Sequence, residues 1–155
     1  MKKKNPKLAG VGAVFFAVLL FALFYPVSSW IVFDRIQSVC KTPVQGRFEA
    51  HFFSPTFRVK NAVLNWNKKV GIESGDIEVR YELGTLLKNK ALRVEIRGRK
   101  VPVRFLGAFS RISPREKVIL DEFYADLLIG REGLQEISSI RIESPELKFQ
   151  LGSQS

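Results

Sequence analysis

The chain has 155 residues, 46% of them hydrophobic, and a formal net charge of +10. That length accommodates one packed domain plus one hydrophobic segment. A single cysteine, Cys40, excludes an intrachain disulfide framework, and the well-mixed charge lacks the single-sign blocks of a disordered nucleic-acid tail.

The N-terminus reads MKKKNPKLAGVGAVFFAVLLFALFYP. Lys2, Lys3, Lys4 and Lys7 carry four of the positive charges. From Asp34 onward there are 21 basic and 15 acidic side chains, a net of +6. No charge interrupts residues 8–33, and the purest part, 8–25, is 18 residues long. As a helix it spans about 27 Å, close to the hydrocarbon thickness of a bilayer. A secretory signal has a shorter apolar region. Val27-Ser28-Ser29 would pass as a cleavage triplet, but apolar length is the better discriminator, so a retained anchor is expected. Tyr25 and Trp30 suit the headgroup level. The lysines before the span, with Asp34 and Arg35 cancelling after it, place the N-terminus in the cytoplasm and the remainder across the membrane. In a bacterium that is the inner membrane and the periplasm. Gly10 and Gly12 are too close together for a GxxxG dimer face. The expected division is 1–33 cytoplasmic lysines and anchor, 34–42 connector, 43–151 β-rich domain and 152–155 polar tail.

Period-two alternation dominates the rest, the pattern of strands with one buried face. Residues 46–53 (GRFEAHFF) form the first such run and 57–66 (FRVKNAVLNW) the second, with a one-residue slip near Asn61–Ala62 that predicts a β-bulge. Asn67-Lys68-Lys69 predicts a turn, and Val70 and Ile72 pair back. Residues 76–81 alternate cleanly, 83–87 (LGTLL) predict a helical turn, and 92–97 alternate again. Gly98-Arg99 is expected to turn the chain into Val101, Val103 and Phe105. Residues 106–117 are irregular, 118–129 form a long apolar-rich run, and 137–143 and 147–151 alternate on either side of Ser144-Pro145. The expected fold is mainly β: an N-terminal transmembrane helix, then an antiparallel sheet of seven to nine strands, curved into a groove or sandwiched.

Catalytic constellations are missing. The one histidine, His51, is read as a strand residue without a partner. No His/Cys cluster has metal spacing, and no nucleophile elbow, P-loop or dinucleotide fingerprint occurs. Asp121-Glu122 and Glu143/Glu146 read as solvated acids. A non-catalytic protein with no cofactor is expected. Residues 88–104 hold seven cations, Lys88, Lys90, Arg93, Arg97, Arg99, Lys100 and Arg104. They read either as a solvated strand face or as contacts to anionic headgroups. A nucleic-acid groove is disfavoured, because aromatic residues are not interleaved with the charges.

An anchor leading into V-x-G-R-F (44–48), then S-P-T-F-R-V-K-N-A-V-L (54–64), I-x-V-R-Y-E-L-G-T-L-L (77–87) and I-R-I-E-S-P-E-L-K-F (140–149) resembles the N-terminal module of the AsmA-like proteins. It is also similar to the N-protein of type II secretion systems. The resemblance covers most of 1–105 and a piece near the end. It implies a membrane helix followed by a sheet that curls into a groove, acting in envelope lipid transport or assembly. Members of that family are usually much longer, and one module is too short to bridge two membranes.

A single sheet must cover its apolar face. With no helix other than the anchor, the candidates are the sheet's own curl, a partner subunit or acyl chains. The expected lipid-facing residues are Phe57, Val59, Leu64, Trp66, Ile77, Val79, Tyr81, Val94, Ile96, Val103 and Phe105, with Arg93, Arg97, Arg99 and Lys100 as headgroup contacts. Membrane lipids are the expected partners. The alternative is a non-catalytic accessory subunit of a secretion or envelope complex, docked through sheet edges.

Overall fold

The computed structural model describes residues 6–66, 70–111, 117–145 and 148–152, with the side chains of 6–10, 66, 108–109 and 149 outside the description. One helix, α1 (Pro6–Cys40), precedes a seven-stranded antiparallel sheet whose strands lie in chain order. They are β1 (Gln45–Ala50), β2 (Thr56–Trp66), β3 (Val70–Glu82), β4 (Leu92–Phe105), β5 (Val118–Gly130), β6 (Gly133–Glu143) and β7 (Lys148–Gly152). A short helix, α2 (Leu83–Asn89), joins β3 to β4. The fold is therefore mainly β with an N-terminal apolar helix, and the sheet is single rather than sandwiched. The expected turn at 67–69 and the end of the polar tail lie outside the described residues.

Helix α1 changes surroundings along its 35 residues. From Val11 to Phe21 every side chain is exposed, and the mean hydropathy is high enough for a membrane span. Residues 6–25 would rise about 30 Å, the thickness of a hydrocarbon core, which leaves 26–40 to rise about 22 Å beyond it. Pro26 lies inside the helix; it has no N–H to give the carbonyl of Ala22, yet the helix continues. The segment 34–42, expected as a connector, is helical as far as Cys40. Its charges do not end the helix because apolar residues continue at helical spacing: Val32, Phe33, Ile36 and Val39 all pack against the sheet. The end is a Schellman turn, with Lys41 left-handed at φ 51°. The Lys41 and Thr42 amides donate to the carbonyls of Ser38 and Gln37.

This second half of α1 covers one part of the sheet's apolar face. Phe33 meets Phe48 and Phe57 with ring centroids 5.3 and 5.8 Å apart, and Phe57 in turn lies 6.4 Å from Tyr81. Tyr81 is 1% exposed. Its hydroxyl lies 2.6 Å from Ser28 Oγ and 3.0 Å from Ser29 Oγ, and donates to the Tyr25 carbonyl at 3.3 Å. The expectation that no helix would hide the apolar face is thus corrected: the apolar N-terminal helix itself returns as the cover.

Sequence patterning also misplaced a turn at Gly98-Arg99 and read 70–72 and 76–81 as separate runs. β3 and β4 are each one unbroken strand rather than two, because their phase slips are creases and not reversals. Asn61, Ser74 and Lys100, on adjacent strands β2, β3 and β4, all have φ between 51° and 57°. Pairing of β3 with β4 keeps one register across the crease, Ile77 with Gly98 and Ile72 with Val103. The slip returns apolar side chains to the same face, so Val101 approaches both Gly75 and Gly98. A Cβ at either glycine would come within 2.9 Å of a Val101 methyl. The Asn61 amide donates to Asp76 Oδ1 at 3.1 Å, tying the crease together on the polar side. The first strand ends earlier than expected, at Ala50, since the His51 amide closes the hairpin on the Thr56 carbonyl. His51, Phe52 and Phe53 therefore belong to a turn.

Tyr81→Phe removes the hydroxyl that Ser29, fully buried, depends on. We expect a loss of about 1–3 kcal/mol in denaturant titration of the detergent-solubilised chain. The loss should shrink when Ser29→Ala is already present, since no buried hydroxyl is then stranded.

Candidate functional site

The meander places three strand connections at one end of the sheet, residues 51–55, 83–91 and 131–132. That end meets α1 near Tyr25 and Ser28, where the helix stops being exposed all round. There α1, α2 and the end of β5 enclose an open cleft of about 490 Å³, within the range of small-ligand sites. Its floor is apolar: Val32, Leu92 and Ile129 are each no more than 6% exposed. Its rim carries Leu86, Lys90 and Arg131, all exposed. Arg35 closes one side, its guanidinium donating to the carbonyls of Gly130, at 2.8 Å, and of Arg131. Lys90 caps α2 in the left-handed region at φ 54° and donates its amide to the Leu86 carbonyl, a conformation that costs a non-glycine residue about 1 kcal/mol. The arrangement offers apolar walls for a hydrocarbon chain and two cations for an anionic head.

The expected lipid-facing residues divide among three environments. Phe57, Val59, Val79, Tyr81 and Val94 are buried beneath α1, with Ile77 and Ile96 half-buried beside them. Beyond the crease, Val103 is buried and Phe105 half-buried in a second cluster with Val101 and Leu120. The partly buried side chains around that second cluster all come from the sheet. Leu64 is half-buried in β2, and the Trp66 side chain lies outside the described residues. The cleft is built instead from Val32, Leu86, Leu92 and Ile129, none of them singled out by sequence. The available signals were LGTLL, which read as a helical turn without a role, and Lys90, which read only as part of the seven-cation stretch.

The expected headgroup cations lie on the opposite, charged face. Arg93 grips both oxygens of the buried Asp126 carboxylate at 2.6–3.2 Å. This raises its already high pKa further, by hydrogen bonding to Asp126 and then by charge attraction. Arg97 sits over the Tyr124 ring at 5.3 Å. Arg99 and Lys100 are exposed near the crease, about 23–26 Å along β4 from its start. Arg93, Arg97, Tyr124, Asp126 and Arg141 line a polar cleft of about 830 Å³ on this face. Among the described residues, no group of three His, Cys, Asp or Glu side chains is placed to hold a metal ion.

No protein-family model, curated protein or solved structure matches the chain.

The Arg93–Asp126 pair is asymmetric, with side chains 43% and 5% exposed. Arg93→Met strands a buried carboxylate and should cost about 3 kcal/mol, whereas Asp126→Asn leaves the guanidinium reachable by water and should cost about 1 kcal/mol; chemical denaturation of both variants checks the order. A hydrogen bond from Arg58 holds the Glu78 carboxyl below its usual value of 4.5. Its stabilising contribution is present above that value and lost as pH falls through the lower, folded one. Thermal melts should therefore show stability declining on acidification below about pH 4.5, and less steeply in Glu78→Gln.

Proposed function

We propose that this protein is a single-pass, AsmA-like membrane protein that binds envelope lipid without catalysis. Its N-terminus lies in the cytoplasm and its sheet in the periplasm, at the inner membrane. The observation that carries the reading is the cleft's position. An apolar-walled, cation-rimmed space opens where α1 passes from all-round exposure to contact with the sheet. An acyl chain entering from the leaflet would lie over Val32, Leu92 and Ile129, with its head between Lys90 and Arg131. The apolar face beyond the crease, around Val103 and Phe105, would extend the path away from the membrane.

The subunit reading draws support from the edges. β1 and β7 each pair on one side only, which leaves two strand edges for addition of a partner strand. It calls for a stoichiometric protein partner in pull-downs.

Native mass spectrometry of the full chain, extracted in mild detergent, tests the lipid reading. Bound anionic phospholipid is expected. A Lys90→Glu/Arg131→Glu variant changes only exposed positions and should lower occupancy roughly tenfold or more, at about 1 kcal/mol per cation near an anionic head. A wild-type chain free of lipid, or equal occupancy in the variant, would contradict it.

A further inference from the structure

We propose that the helix-proximal end of the sheet is a second membrane contact. The β1–β2 turn, through Phe52 and Phe53, and α2, through Leu86 and Leu87, dip into the headgroup layer of the leaflet from which α1 emerges. The inference rests on α1 spanning the bilayer, and not on the cleft holding a lipid.

Four side chains set this end apart. Phe52 is 56% exposed, Phe53 80%, Leu86 45% and Leu87 86%. Among the described residues, these are the exposed large apolar side chains that lie in connections between strands. Aromatic and leucine side chains held on short connections beside cations are suited to a bilayer interface. The cations are present: Lys88 and Lys90 follow the leucines, and Arg131 sits in the β5–β6 turn. Their charge complements an anionic leaflet, and their stems can lie along apolar surface while the heads stay hydrated.

Tyr81 fixes the level of this end. Its amide donates to the Pro55 carbonyl at 3.0 Å, which ties down the turn carrying Phe52 and Phe53. Its hydroxyl reaches the Tyr25 carbonyl, and α2 begins two residues later, at Leu83. On α1 itself, exposed apolar side chains continue past Tyr25 through Val27, Trp30 and Ile31. That adds a rise of about 9 Å, comparable with the ~5–8 Å interfacial layer on each side of a bilayer. The turn, α2 and this stretch of helix form one continuous rim at headgroup height. Lipid is therefore the occupant favoured over a protein partner.

Nitroxide depth measurement tests it. Single-cysteine variants Phe15→Cys, Phe53→Cys, Leu87→Cys and Asn65→Cys, made in Cys40→Ser, change exposed positions. Each full chain is spin-labelled and placed in vesicles of phosphatidylcholine with a quarter phosphatidylglycerol. Power saturation is read with oxygen and with a water-soluble nickel chelate. The label at 15 reports the span, and the one at 65, beside the far end of the sheet, reports water. We expect labels at 53 and 87 to lose nickel accessibility and gain oxygen accessibility relative to 65, while staying shallower than 15. If 15 is deep but 53 and 87 match 65, the rim stands clear of the bilayer and the inference fails alone, whatever partner that surface then takes. If 15 is itself in water, the spanning reading fails and takes the inference with it.

Discussion

The hydroxyl cluster of buried Tyr81 and Ser29 with half-buried Ser28 is the constraint on which the rest of the structure depends. It joins a strand end to a helix where the first fully buried side chain of the described part of α1, Ser29, occurs. Buried hydroxyls left unpaired are costly, so the three oxygens determine which face of α1 turns inward. Val32, Ile36 and Val39 then follow on that side at helical spacing, and the Phe33, Phe48 and Phe57 rings close the gap toward β1 and β2. At 35 residues the helix exceeds the length of a single bilayer crossing by about four turns, which leaves room for the part that covers the sheet.

Two consequences for function follow from that joint. The sheet's apolar face is divided: the part beneath α1 is packed core, while beyond the crease the described hydrophobic side chains packed against the second cluster come from the sheet itself. The crease separates them. Left-handed residues on three adjacent strands shift each apolar pattern by one position; the β3–β4 register runs through unchanged, while β2–β3 shifts on either side of Ala62. The second consequence is positional. With the Tyr81 end of the sheet tied to Tyr25, the connections at that end and the cleft between α1 and α2 lie beside the point where the helix would leave a bilayer.

Much of the fold was legible in the sequence, and what was missed has identifiable causes. The apolar N-terminal helix and the β character were readable from charge-free length and period two, and the antiparallel meander from the absence of long helices between strands. The slip at Asn61 was readable as a bulge, but the slip at Lys100 resembled a turn and the one at Ser74 a gap between two runs. A phase change within a strand and a reversal between strands look alike without the pairing partner, and glycines flank both positions. The helical course of 34–40 was hidden by Asp34 and Arg35. Arg35 is in fact engaged by the Gly130 and Arg131 carbonyls, 95 and 96 residues away in sequence. The Arg93–Asp126 pair and the cleft were unreadable for the same reason: both arise from register between distant segments, which one-dimensional periodicity does not contain.

The central claim is that the apolar N-terminal helix continues without a break as the cover of the sheet, making helix and domain one body. Hydrogen–deuterium exchange of the full chain in lipid vesicles tests it most directly, read over residues 27–40. The account predicts protection across this whole segment comparable with that of β3 and β4, since packed helical amides open only with the core. Exchange of 34–40 at the rate of an open linker, while the strands stay protected, would contradict it.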